Sequence, residues 1–330
     1  SKEETYIYAS FMKQDYRRAL ELMADIVCNS TFPEKEIQKE KAVVIDEINS
    51  YKDSPSEQIF DDFEGLIFQD HALGNNILGT IPQVQSFDKE KIETFIAKHY
   101  QPEQMIISSV GQIDFKRLVK LAEQFFGGIE PNKQSNPLPT QALTAYIPIK
   151  QAHQKGQFQT HCILGCRTFG AFDDQKNAMA LLNNMVGGPG LNSKLNMAVR
   201  ERHGLTYSIE SNYHYYQDAG VFSIYFGTEK NQVKKVKQII ETELRKIAAK
   251  PLTDFQLAKV KRQFLGQFLI AQESNCNLML VMAKSLAMYQ QVDSITDVIE
   301  KINRITALEL QDAARQVFDK NQFSELTFWS

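Results

Sequence analysis

The sequence predicts an α+β protein built from two copies of one unit, and three observations lead to this fold class. Long segments have the apolar spacing of amphipathic helices. Short apolar runs typical of buried strands lie between them. Three stretches of the second half resemble three stretches of the first half at a nearly constant separation. With 330 residues, 43% of them hydrophobic, the chain is long enough to bury two cores.

The first part of the chain is predicted to be mostly helical. Residues 13–28 and 34–49 each place their apolar side chains largely on one stripe, and residues 56–68 do so again before a glycine-containing loop. Asp88 is the expected N-cap of a further helix, which ends at His99 because a proline follows soon after.

A strand and a linker are predicted next. Residues 104–111, QMIISSVG, have the composition of a buried strand. Residues 136–150 lie in a proline-rich stretch with no helical period, which is typical of a linker. The predicted domains are therefore residues 1–135 and residues 151–330, joined by this linker.

The second half of the chain repeats the first. Three matches pair residues 7–10 with 224–227, 32–48 with 252–268, and 87–110 with 305–328. The distance along the chain between the paired stretches is almost the same in all three matches. A nearly constant separation in three independent segments indicates a tandem duplication of one αβ unit.

Two expectations follow from aligning the copies. Residues 151 to about 220 have no counterpart in the first copy, so we expect a segment of that length to be missing upstream of Ser1. In the match of 32–48 with 252–268, Glu40 corresponds to Val260 and Glu47 to Gln267. The second copy thus keeps the helical frame without the two carboxylates, which indicates that folding does not need them.

Composition excludes some classes of partner. The net charge of −3, with basic residues scattered among acidic ones, gives no case for binding nucleic acid or an anionic membrane. No apolar run is long enough for a membrane span. Four cysteines are expected to be buried free thiols: Cys28, Cys162, Cys166 and Cys276. Free thiols favour the cytoplasm over the periplasm, although any leader sequence would lie upstream of Ser1. Cys162 and Cys166 lack the second pair that a zinc site would need.

The pair of acids in the second predicted helix allows two interpretations. Seven residues are about two helical turns, so Glu40 and Glu47 project from one face about 10 Å apart along the axis. One interpretation is a solvated, lysine-rich helix whose acids form exposed pairs. The other is a metal ligand with a supporting acid, because zinc accepts carboxylate oxygen and takes further ligands from elsewhere.

The residues present do not complete a zinc site. The chain has no HExxH or HxxEH string and no helical pair of histidines at i, i+4. Its histidines are scattered: His71, His99, His153, His161, His203 and His214. We expect His71 to pack within its loop. The GGPG sequence at 187–190 lacks the lysine of a phosphate-binding loop and is expected to form a turn before a helix.

Residues 34–80, from EKEIQKEKAVVIDEI to GNNILGT, resemble the pitrilysin, insulysin and mitochondrial processing peptidase family of inverted-zincin metallopeptidases, especially its smaller bacterial members. Residues 187–228 are similar to the family's second-domain signature, and residues 251–274 to its C-terminal domain. The resemblance covers essentially the whole chain. It implies a clamshell of two homologous α+β domains, with HxxEH on a helix of the first.

The resemblance also implies roles for individual residues. Glu47 maps onto the third zinc ligand, and Glu40 onto a glutamate that supports the site. Arg200 and Tyr207 map onto an arginine and a tyrosine of the second domain that reach the active site. From the residues alone, Arg200 fits equally a surface ion pair with Glu201 or Asp218, and Tyr207 a half-buried strand aromatic. HxxEH would fall upstream of Ser1.

Two functions from different classes remain at this point. The first is a zinc endopeptidase acting on peptides or unfolded segments, whose 330 residues are inactive alone because the two histidine ligands are absent from them. The second is a non-catalytic homologue that binds peptides or serves as a partner subunit. The resemblance further implies a homodimer or a pair with a homologous subunit.

Overall fold

The computed structural model describes residues 1–130, 141–156 and 158–329. It has the predicted α+β class. The helices are α1 (Tyr16–Cys28), α2 (Glu34–Lys52), α3 (Pro55–Ile67), α4 (Ile81–Ser86), α5 (Lys89–His99), α6 (Phe115–Phe126), α7 (Lys176–Gly187), α8 (Val233–Ala249), α9 (Asp254–Gln272), α10 (Asn275–Tyr289), α11 (Ile295–Arg304) and α12 (Ala307–Val317). The strands are β1 (Lys150–Gln154), β2 (Thr160–Thr168), β3 (Ser208–Tyr215), β4 (Gly220–Thr228) and β5 (Ser324–Trp329).

The predicted helices of the first part are confirmed. The structure places them in α1, α2, α3 and α5, with ends that differ by a few residues from those predicted. Asp88 is the N-cap of α5, because its Oδ1 accepts a hydrogen bond from the backbone N of Lys91 at 2.8 Å. Apolar spacing and capping residues were therefore sufficient to find these elements.

The chain forms two compact units that are not contiguous in sequence. Unit 1 consists of residues 1–48, 77–140 and 269–293, and unit 2 consists of residues 49–76, 141–268 and 294–330. The predicted domains, residues 1–135 and 151–330 with a linker at 136–150, stay predictions. Residues 136–140 of that linker lie outside the described part of the chain.

Unit 2 is built on one five-stranded sheet in the order β1-β5-β2-β4-β3. β1 is parallel to β5, and the other pairs are antiparallel. Because side chains alternate between the faces of a strand, β2 contributes to two cores. Cys162, Leu164 and Cys166 pack with α7, α8 and α12 on one face, and Ile163 packs with α3 on the other.

The helix α3 covers the second face of this sheet. Phe63 and Ile59 of α3 pack against Leu326 and Phe328 of β5. Arg167 of β2 fixes the end of the helix, since its guanidinium donates to the backbone carbonyl of Ile67 at 2.8 Å. A cation near the C-terminus of a helix satisfies carbonyls that have no partner within the helix.

In the described residues of unit 1, all regular secondary structure is helical. Residues 1–130 contain no strand, and α1 packs against α6. The Tyr16 hydroxyl lies 3.3 Å from Ser109 Oγ, and Arg17 donates to Gln124 at 2.9 Å. On α10, the Met279 carbonyl accepts from Ser108 Oγ at 3.0 Å.

The bounds of the helices confirm the duplication. α2 and α9 have 19 residues each, and both ends of α9 fall where the alignment of the two copies places the ends of α2. The ends of α12 match those of α5 in the same way. α10 begins where the alignment places the start of α3, and these two counterparts are exchanged: α3, from the first half, belongs to unit 2, and α10 belongs to unit 1.

The predicted strand at residues 104–111 is wrong. The structure gives residues 105–110 no regular secondary structure, and Ile107 is exposed. The matching residues 323–328 of the second copy do contain β5, which pairs on both edges. A strand requires a neighbouring strand for its backbone groups, and the described residues of unit 1 provide none.

The cysteine prediction is right for two residues and wrong for Cys28. Cys162 and Cys166 are buried free thiols, and burial raises the pKa of Cys162 to about 11 and that of Cys166 to about 12. Such thiols are poor nucleophiles and poor metal ligands at neutral pH. Cys28 is exposed, and Cys276 is partly buried. Among the described residues, no helix is both long enough and apolar enough to cross a bilayer.

Candidate functional site

The two acids of α2 are exposed and unpaired. Within the described ranges, neither the Glu40 nor the Glu47 carboxylate has a hydrogen bond or an ion pair. The exposed pair that this helix does form joins Lys39 to Glu36 at 2.8 Å and leaves both acids free. Their carboxylates are therefore available to a ligand from outside the described residues.

The described residues do not complete a zinc centre. A catalytic zinc site uses three protein ligands and keeps one position open. Glu47 has the right chemistry for one of them. In residues 1–130, 141–156 and 158–329, no group of three or more histidine, cysteine, aspartate or glutamate side chains is arranged to hold a metal ion. The described residues thus supply one suitable zinc ligand and not the three that a catalytic site needs.

The histidines make structural contacts instead. The His71 ring donates from Nε2 to the Gln141 carbonyl at 2.9 Å and accepts at Nδ1 from the Leu73 backbone N at 3.2 Å, which confirms its packing role in the loop. His203 donates from Nδ1 to the Ala198 carbonyl at 2.6 Å.

A buried pair, His161 and Tyr225, was not foreseen in the sequence. Their Nδ1 and Oη atoms are 2.8 Å apart, and the rings stack. Burial lowers the pKa of His161 and raises the pKa of Tyr225 to about 12, so a neutral phenol donates to a neutral imidazole. The one signal in the sequence is a histidine inside an otherwise apolar strand.

The positions equivalent to the two acids have other roles in the second copy. Val260 packs against the core of unit 2. Gln267 Oε1 accepts a hydrogen bond from Nδ2 of Asn184, on α7, at 2.6 Å. The same helical frame therefore carries free carboxylates in one copy and a packed valine and an amide contact in the other.

Unit 2 contains a groove with a volume of about 540 Å³. It lies beside β3, the edge strand of the sheet, which has no second neighbouring strand among the described residues. The end of α7, the turn at residues 187–190 and Phe264 of α9 line the groove further. Gly187 permits this arrangement, because a Cβ there would lie 2.5 Å from the backbone N of Ser211. The expected turn before a helix is found after Gly187, which ends α7: the chain bends at residues 188–190 and turns at 191–192 before the helical segment Asn196–Glu201.

The structure places Arg200 and Tyr207 on this same groove. Arg200 lies on a π-helical turn, Asn196–Glu201, a distorted geometry that is frequent at functional sites. Its Nε is 3.6 Å from Glu201, so the alternative of a surface ion pair is present in the structure. Both side chains of that pair are more than 40% exposed, which makes the contact weak and the guanidinium free to exchange partners.

Tyr207 stands immediately before β3 and is 91% exposed. It is not the half-buried strand aromatic of the alternative interpretation. Its hydroxyl has no hydrogen-bond partner within the described part of the chain. An exposed, unpaired phenol at the mouth of a groove can donate to a bound molecule.

Polar side chains of the groove were missed by the sequence-based reasoning. Asn196 is buried, and its Oδ1 has no partner among the described residues. The same is true of the Oδ1 atoms of Asn183 and Asn184. Unpaired buried amide oxygens are costly, and they mark places where a ligand or water completes the hydrogen bonds. Nothing in the local sequence distinguishes them from capping or turn residues.

Two family profiles match the chain. The profile described as "Insulinase (Peptidase family M16)" matches residues 1–81, and that described as "Peptidase M16 inactive domain" matches residues 86–264. Together they cover most of the first copy of the repeat and the second copy as far as residue 264, including α2 and the groove.

Individual relatives agree with the profiles. An uncharacterized zinc protease of Rickettsia felis is 30% identical over 316 residues, which cover 96% of this chain and 76% of that protein. An uncharacterized zinc protease of Bacillus subtilis is 29% identical over 321 residues, covering 97% of this chain and 77% of the relative. A crystal structure of a protease from Helicobacter pylori, 20% identical, superposes with a TM-score of 0.88 over 96% of this chain and 77% of that chain, which shows the same fold. The chain is a member of the M16, pitrilysin-like family of zinc-protease-like proteins, of the small bacterial type.

Proposed function

We propose that the intact protein is a zinc-dependent endopeptidase that cleaves peptides or unfolded segments. The observation that carries the proposal is Glu47, an exposed carboxylate without a partner in the described residues, on a helix whose duplicate has glutamine at that position. Folding does not require an acid in this frame. A free carboxylate in a zinc-protease family is most simply a ligand.

The two acids of α2 have different roles in this proposal. Glu47 supplies one oxygen ligand, and Glu40, two turns earlier on the same face, orients it or the ligands around it. The two remaining ligands would be histidines that these 330 residues do not supply in a suitable arrangement. The 330 residues alone are therefore inactive.

Arg200 and Tyr207 contribute hydrogen-bond donors in unit 2. A guanidinium and a phenol can hold the backbone of a substrate in place, and they can stabilise the negative charge that develops on a peptide oxygen during hydrolysis. Support comes from their position on one groove and from the high exposure of both side chains.

Metal content and peptidase activity of the intact gene product test this function directly. We expect about one zinc per molecule by mass spectrometry, since a catalytic site holds one ion. Cleavage of an unstructured fluorogenic peptide should be lost with a chelator and restored by zinc. The 330-residue chain serves as the control and should show neither property. A metal-free intact protein without chelator-sensitive cleavage contradicts the proposal and favours a non-catalytic, peptide-binding or partner subunit, the function that the description "inactive domain" suggests.

The donors are tested by Arg200→Gln and Tyr207→Phe in the intact protein. Each variant is expected to lower kcat/KM by about 100-fold, the usual effect of removing one donor to a developing oxyanion. The melting temperature should not change, because both side chains are exposed. Lys194→Gln, also exposed and close in sequence, is the control. Unchanged kcat/KM in both variants would remove these residues from the site.

A further inference from the structure

Unit 2 has a second cavity, with a volume of about 290 Å³. It is formed by residues 198–203 and by one face of α8. The lining residues of α8 occupy positions i, i+3, i+4, i+7, i+8 and i+11, which lie on one side of a helix: Lys235, Gln238, Ile239, Thr242, Glu243 and Lys246. Most of these side chains are exposed, so the cavity is open to solvent.

Positive charge dominates this cavity. Arg202, Lys235 and Lys246 all line it. The charge of Lys246 is compensated, because its Nζ pairs with the Glu243 carboxylate at 2.7 Å. The Arg202 guanidinium and the Lys235 ammonium have no hydrogen bond or ion pair within the described residues. Like charges that share one cavity repel each other, and a bound anion removes that repulsion.

His203 provides a further polar group in the cavity. Its Nδ1 donates to the Ala198 carbonyl at 2.6 Å, and this contact fixes the ring beside the other lining residues. In the part of the chain that the structure describes, Nε2 has no partner. This nitrogen accepts a hydrogen bond when the ring is neutral and donates one when the ring is protonated, so it can pair with a protonated or an ionised oxygen of an oxyanion.

We propose that this cavity binds a phosphoryl group, carried by a small phosphate ester or by free phosphate, through Arg202 and Lys235. A guanidinium donates to two phosphate oxygens at once, and an ammonium adds a point charge. A phosphate monoester has a charge of about −1.5 to −2 at pH 7, which matches the two uncompensated cations, whereas a carboxylate would match one of them. The cavity volume is close to the lower end of the range for small-molecule sites, about 300–1,000 Å³.

The cavity shares the π-helical turn, Asn196–Glu201, with the groove. Ala198 of this turn lines the cavity, and Arg200 of the same turn lines the groove. Arg202 is the C-cap residue of the turn. A phosphoryl group held by Arg202 and His203 is therefore expected to restrain the backbone that carries Arg200.

Titration calorimetry with inorganic phosphate and with phenyl phosphate tests the proposal. The intact protein is first freed of metal with a chelator, so that no bound metal can hold the anion, and is studied at low ionic strength because both cations are exposed. We expect one binding site per chain. Arg202→Gln and Lys235→Gln should each weaken binding by about 10-fold, the effect of losing one charge-assisted hydrogen bond. The double variant should bind about 100-fold more weakly.

The matched control is the double variant Lys234→Gln with Arg245→Gln. Both residues are exposed on α8, neither lines the cavity, and the change in net charge is the same. This control should keep the affinity for phosphate. Hydrogen exchange gives the location independently: phosphate should slow exchange in peptides covering residues 196–203 and 235–246.

The relative affinities of the two probes identify the source of the phosphoryl group. Tighter binding of phenyl phosphate supports an ester, and tighter binding of inorganic phosphate supports the free ion. The proposal is overturned if neither probe binds, if the Arg202 and Lys235 double variant binds as tightly as its control, if acetate binds as tightly as phosphate, or if neither peptide is protected. None of these results bears on the peptidase proposal, because the metal has been removed.

Discussion

Replacing Glu47 by glutamine in the intact protein is expected to remove the zinc and reduce peptide hydrolysis by about 1,000-fold, since a metal contributes several kcal/mol to such a reaction. The substitution keeps the size of the side chain and removes its charge. Gln267 already occupies this position of the repeat in a folded helix of equal length, so the fold should tolerate it. Zinc content, kcat/KM and the melting temperature are measured together.

Two other acids of α2 provide comparisons for this experiment: Asp46 as the control and Glu40 as a variant with a smaller expected effect. Asp46 is exposed and precedes Glu47, but it projects about 100° around the helix, so Asp46→Asn should keep both metal and activity. Glu40→Gln should keep the fold and lose about 10- to 100-fold in metal affinity or activity, as expected of a residue that supports a ligand. If Glu47→Gln retained full zinc and full activity, Glu47 would not be a ligand.

Truncating Phe63 is expected to destabilise unit 2 by about 3–5 kcal/mol, the usual cost of Phe→Ala in a core. Phe63 is 1% exposed and packs within the second core of the sheet, although α3 comes from the first half of the chain. The loss of stability should be detectable in the sheet that α3 covers. We expect faster hydrogen exchange in peptides covering β2, measured by mass spectrometry, and a lower midpoint in urea.

Ser56→Ala is the matched control for this core substitution. Ser56 is exposed and lies on the same helix, and such surface changes usually alter stability by less than about 0.5 kcal/mol. Unchanged exchange of β2 in Phe63→Ala would show that α3 does not hold the sheet in solution.

Local patterns in the sequence predicted local structure well. The helices α1, α2, α3 and α5 follow from apolar periodicity, and the N-cap of α5 follows from one aspartate. The prediction of a strand at residues 104–111 was wrong because a strand needs a neighbouring strand, which cannot be identified from the local sequence. Its match in the second copy is a strand only because β1 and β2 flank β5 there.

The candidate site also has one part that the sequence predicted and one part that it did not. Comparison of the two copies of the repeat showed that folding does not need Glu40 and Glu47, since Val260 and Gln267 replace them in a helix of equal length. The groove and its unpaired carboxamides could not be found from the sequence, because α7, β3 and α9 are distant along the chain and meet only in the folded unit. The exchange of α3 and α10 was missed for the same reason.

That exchange has a consequence for biosynthesis. A ribosome delivers the chain from its N-terminus, and domains commonly fold as they emerge. Unit 1 includes residues 269–293, so its last helix appears only when most of the polypeptide has been made. Until then, the contacts of that helix with the first half, such as the hydrogen bond from Ser108 to the Met279 carbonyl and the ion pair of Lys284 with Glu4, cannot form.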